Sequence, residues 1–116
     1  VTITLTTRPS RGQSYVDWRG IWENALNARV DFNAGALAGR QEWHDIGQLP
    51  GDWARTFTTR TNVGAIVFVV CSYRTPIAWF DAEAGHWVMP EVKYSNTTSK
   101  HQSLVRSALG DREVLS

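Results

Sequence analysis

Cysteine is almost absent: Cys71 is the single one in 116 residues, so no disulfide can close within the chain and a reducing compartment is the expected setting. Lysine is scarce too, Lys93 and Lys100 being the only two, so arginine carries most of the positive charge. No apolar run approaches the ~20 residues needed to cross a bilayer. The first residues also lack the basic-then-apolar layout of a secretion signal. An excess of one charge is missing as well. Twelve basic against 11 acidic residues leave a net charge of +1, without the basic surplus usual in a protein that grips nucleic-acid backbone. Catalytic signatures are absent: there is no glycine-lysine phosphate loop, no nucleophile elbow, no pair of histidines at helical spacing and no Cys-x-x-Cys. These absences predict one soluble, cytoplasmic domain over residues 1–116, with no metal site, no cofactor and no enzymatic activity.

What is present sorts into strands and helices by period. Val1, Ile3 and Leu5 alternate with threonines, which predicts a strand with one buried face over Val1 to Thr7, ended by Pro9 and Gly12. Ser14 with Asp17 reads as a variant capping box, and Trp18, Ile21, Trp22, Ala25 and Leu26 recur at helical spacing. A helix over Tyr15 to Arg29 follows, its tryptophans on a core face. From Asp31 to Asp52, glycines and Pro50 break any period. Within that stretch Ala34 to Arg40 is read as a helical turn and Glu42 to Ile46 as a brief strand. Glu42, His44 and Asp45 carry ligand-type side chains, yet no second cluster at metal-ligand spacing accompanies them, so a solvated loop is expected.

Arg55 to Thr61 alternates around Phe57 and predicts a strand. Ala65 to Cys71 is an unbroken, largely β-branched run, expected at the centre of a sheet covered on both faces. Cys71 lies in it, away from the exposure and positive surroundings that activate a thiol. Ile77 to Phe80 and His86 to Met89 should form a hairpin around a solvated loop carrying Asp81, Glu83 and Gly85, with Pro90 ending the second strand. A last helix is predicted over Thr97 to Leu109, stopped by Gly110, with a frayed tail beyond. The fold class expected is α+β: an antiparallel β-meander sheet with an N-terminal and a C-terminal helix packed on it.

The entry to the last helix is the densest polar stretch, Tyr94-Ser95-Asn96-Thr97-Thr98-Ser99-Lys100-His101. Hydroxyls there can cap the unpaired N–H groups of the first turn. The same Ser95, Thr97, Thr98 and Ser99 side chains, with Lys100, are a candidate anion site, because helix dipole and free donors both favour negative charge. His101 projects with Leu104, Val105 and Ala108, so a role in holding a neighbouring segment is expected before a catalytic one. Ser99, Ser103 and Arg106 point the opposite way, outward.

Two short motifs carry a resemblance. Ser72-Tyr73-Arg74-Thr75-Pro76-Ile77-Ala78 precedes Tyr94-Ser95-Asn96-Thr97-Thr98-Ser99-Lys100-His101 by about twenty residues. Together they resemble a family of small proteins of bacteriophages and bacterial plasmids whose biochemical role is uncharacterised. The resemblance runs from Leu49-Pro50 to the last helix, and makes Tyr73, Thr75, Pro76, Tyr94 and His101 structural motif residues. It implies a shared domain and a mobile-element origin, but brings no substrate or active site. Arginine in place of lysine, with plentiful alanine and glycine, points to GC-rich coding and fits an actinobacterial phage. Three functions are compatible with these residues. The leading one is a non-catalytic binding protein acting on a host or phage macromolecule, a host protein first. The next is a nucleic-acid-binding module using Lys93, Lys100, Arg106 and Arg112. The last is an enzyme acting on a phosphorylated ligand at the helix entry.

Overall fold

The computed structural model describes residues 1–110 and 114–115. Seven strands form one open sheet in the order of the chain: β1 (Ile3–Thr4), β2 (Phe32–Ala34), β3 (Leu37–Arg40), β4 (Ile66–Ser72), β5 (Thr75–Asp81), β6 (His86–Val88) and β7 (Val114–Leu115). Pairing from β2 through β6 is antiparallel, and only the two outermost pairs, β1 with β2 and β6 with β7, are parallel. Helices α1 (Tyr15–Ala28), α2 (Gly51–Asn62) and α3 (Asn96–Leu109) complete the described structure. The class is α+β, as the periodicities imply.

Both predicted helices form within a residue of their expected ends, and both are capped by side chains. Ser14 Oγ accepts from the Asp17 N–H, and Ser95 Oγ accepts from the Thr98 N–H. They pack side by side on one face of the sheet, where Trp18, Trp22 and Leu26 of α1 and Val105 and Leu109 of α3 meet Phe32, Phe68, Ile77 and Trp87. The opposite face is covered by α2. Arg55 to Thr61, expected as a strand, is the body of this helix. Its threonines carry β-propensity, but Trp53, Ala54 and Phe57 fall on one helical face and reach Val69, Cys71, Trp79 and Val88, so packing overrides local preference.

Other expectations are corrected in the same region. Ala34 to Arg40 is not a helical turn but the end of β2, a turn with Gly35 at φ 64, and β3. Glu42 to Ile46 forms no strand. β1 is two residues long rather than seven, with Ile3 exposed and Leu5 buried. The tail is not wholly frayed, since Val114 and Leu115 pair with β6 and the Met89 N–H donates to the Leu115 carbonyl. Within β4 a register shift between Ile66 and Phe68 turns Val67 out to solvent, so the run is not covered on both faces at that residue. A second shift between Val70 and Cys71 sits where Pro76 pairs, which lets a proline lie inside β5.

The tip of the β5–β6 loop is solvated, Ala82 to Gly85 being exposed, but Asp81, the last residue of β5, is not. Asp81 is 4% exposed, and its carboxylate takes Arg60 Nε at 2.8 Å and Arg60 Nη2 at 2.9 Å as well as the Ala84 N–H. Hydrogen bonds from Arg60 hold the Asp81 carboxyl below the usual range. Arg60 thereby ties α2 to the end of β5, while Glu83 stays at the exposed rim of the pair.

Candidate functional site

The two motifs, distant in sequence, meet in space. β4 ends at Ser72 and β5 begins at Thr75, so Tyr73 and Arg74 are the two central residues of a tight hairpin turn. Both adopt left-handed backbone, φ 48 and φ 73, as a two-residue turn with the twist of its strands requires. Glycine and asparagine are the residues that suit this conformation, and a bulky side chain there costs about 1–2 kcal/mol. The chain nevertheless places a tyrosine and an arginine at the tip, 59% exposed for Tyr73 and 76% for the Arg74 side chain.

The turn is held from two sides. On one, Ser72 Oγ lies 2.7 Å from His101 Nδ1 and 3.2 Å from Thr98 Oγ1, joining β4 to the first turns of α3, and Ser95 Oγ extends the network to Thr98. The Tyr73 ring stacks near the His101 imidazole, centroids 6.1 Å apart. On the other side, the loop before α2 closes over the strand. Arg74 pairs with Asp45 at 2.8 Å, Asp45 also accepts from the Gly47 N–H, and the Gln48 N–H donates to Thr75 Oγ1. Gly47, at φ 53, leaves no room for a Cβ against Thr75, so the loop approaches as closely as a chain can. Hydrogen bonds from the Gly47 amide and from Arg74 keep the Asp45 carboxyl below the ordinary carboxylate range.

His101 is 7% exposed and faces the sheet, as the helical angle implies, although its partner is the Ser72 hydroxyl rather than a carbonyl. Burial lowers its pKa from the ordinary histidine value, which favours the uncharged ring. Ser72 is 1% exposed, which leaves its hydroxyl no path to a substrate in this state. Burial pushes the Cys71 thiol up to about 12, far from a reactive thiolate.

The expected anion-site residues separate. Ser95 caps α3 and Thr98 is buried against Ser72, whereas Thr97 and Lys100 are exposed and Ser99 is half-buried. Of the residues expected to meet nucleic acid, Lys93 and Arg106 line one open cleft together with Ser99 and Ser103. Lys100 does not line it, and Arg112 lies outside the described residues. Thr75 and Pro76 are buried beside the turn, and Tyr94 packs against the first core, its hydroxyl buried with no hydrogen-bond partner among the described residues.

The sequence reading missed Ser72, Arg74 and Asp45 as parts of one assembly. The available signal was the spacing: two largely apolar strand-like runs parted by two residues that are neither asparagine nor glycine.

This arrangement belongs to a defined family. The chain matches the family of unknown function DUF8033 over residues 26–114, and is a member of it. The match includes both motifs and reaches back to Leu26 in α1, well before Leu49-Pro50. No curated protein and no solved structure matches the chain.

Proposed function

We propose that this is a small non-catalytic binding protein of bacteriophage origin, acting in the cytoplasm of an infected bacterium, where it docks a host protein through the β4–β5 turn. The observation that carries the reading is the occupancy of that turn. A tyrosine and an arginine, the residue types enriched at the energetic centres of interfaces, are displayed at a backbone position that disfavours them. Strain kept at one exposed point, with two segments built to hold it, is the arrangement found at recognition sites. The buried Ser72 hydroxyl and the neutral Cys71 thiol support a non-catalytic role, and the near-zero net charge does not hinder docking to another protein. Phage origin is supported by the two motifs and by the arginine-rich composition.

The reading is tested by affinity capture from a GC-rich bacterial host with three baits: the native chain, the double variant Tyr73→Asn with Arg74→Gly, and Lys100→Ala. A host protein retained by the first and third baits and lost from the second supports docking at the turn. Equal capture by all three places the interface elsewhere.

A further inference from the structure

We propose that the cleft between the β6–α3 connection and α3 binds the phosphate group of a ligand of up to nucleotide size. The cleft measures about 490 Å³, with Glu91 and Lys93 of the connection and Ser99, Gln102, Ser103 and Arg106 of α3 in its lining. That volume falls within the range of small-ligand sites and exceeds what a lone inorganic phosphate needs. Ser99, Ser103 and Arg106 stand at i, i+4 and i+7, the spacing that aligns side chains along one helical face. Two hydroxyls and a guanidinium therefore form a row of donors on α3, and Lys93 adds a second cation from the connection. The two walls are tied together, since Gln102 Nε2 donates to the Val92 carbonyl at 2.9 Å and Gln102 is itself 9% exposed.

Among the described residues, neither Lys93 nor Arg106 has a carboxylate within 4.0 Å. Glu91, two residues from Lys93, lines the same cleft and pairs with neither. A guanidinium fork, an ammonium and two hydroxyl donors suit the several oxygens of a phosphate better than the two of a carboxylate. Glu91 opposes the same anion, so its removal provides a test of opposite sign.

The experiment titrates the intact chain with inorganic phosphate, a nucleoside monophosphate and a short single-stranded oligonucleotide, following backbone amide shifts. The expected result is movement centred on residues 91–93 and 99–106. The apparent Kd should rise about fivefold for Lys93→Ala and for Arg106→Ala, the loss of one charge-assisted contact at an exposed site. It should fall for Glu91→Gln and stay unchanged for Lys100→Ala. Lys93, Glu91, Lys100 and Arg106 are all exposed, so none of these changes threatens the fold. Tighter binding of the oligonucleotide, weakening steeply with salt, assigns the phosphate to a nucleic-acid strand; equal binding of the monophosphate assigns it to a free nucleotide. The proposal is overturned if no probe moves these amides at about 10 mM, weaker than a specific site would bind. Weakening by Lys100→Ala equal to that by Lys93→Ala overturns it too, since that marks diffuse charge attraction. The turn at Tyr73 shares no residue with the cleft, so either outcome leaves the docking reading to its own test.

Discussion

Single side chains decide how the motifs work, and Tyr73 and Arg74 are the clearest case. Replacing them by asparagine and glycine relieves backbone strain of about 1–2 kcal/mol per residue. It also removes the ring contact with His101, worth about 0.5–1.5 kcal/mol in a well-packed pair, and an exposed ion pair that contributes little. Relief at two positions, about 2–4 kcal/mol together, meets or exceeds these losses, so the urea midpoint of the double variant should lie at or above the native value. A large drop would mean that the pair serves the fold rather than display. His101 gives a prediction in pH. Its folded pKa is lowered by burial from the ordinary value of 6.5, so near and below that value the unfolded chain binds more protons than the folded one. Stability should fall as pH drops from neutral through about 6.5, and the fall should be smaller in His101→Asn. Thermal denaturation at a series of pH values reads this slope. Most single residues of the assembly were hidden in the sequence because their partners are remote: Ser72 and His101 are 29 positions apart, and no local pattern announces such a pair.

At the scale of elements, legibility follows whether one face of the segment must repeat. α1 and α3 were readable because their apolar residues recur every three or four positions and their caps are serines. β4 was readable because its apolar run is unbroken and largely β-branched. α2 was not, since only Phe57 among its residues is fully covered and its threonines mimic a strand, so its helical state depends on the sheet surface it meets. β7 has two residues, too few to show any period. The irregularity in β4 yields a test at this scale. Val69 is 1% exposed and Val67 is 37% exposed, so Val69→Asp should leave the protein insoluble while Val67→Asp expresses normally. Soluble yields of the two variants measure the contrast, and failure of both would mean that a partner covers Val67.

Across the whole molecule, the sheet is shared by two cores, one under α1 and α3 and one under α2. Alternate residues of β4 serve both, Phe68 and Val70 in the first, Val69 and Cys71 in the second, and β5 adds Ile77 and Ala78 to the first and Trp79 to the second. Neither core can open without exposing the strands of the other, which predicts one cooperative unfolding transition. Tryptophans lie on both sides, Trp22 and Trp87 in one core and Trp79 in the other, so fluorescence and far-ultraviolet circular dichroism should trace the same curve in urea. Separate midpoints would show that α2 detaches by itself.

The strand order equals the chain order, and this bears on how the molecule is made. As β4 leaves the ribosome, β3 is already available to pair along one edge, and β5 follows after only two residues to close the other. Ile66 to Ser72, the stretch most able to associate with strands of other chains, therefore spends little time uncovered. The β2–β3, β4–β5 and β5–β6 connections contain no helix and close over a few residues, which favours fast formation of those three pairings.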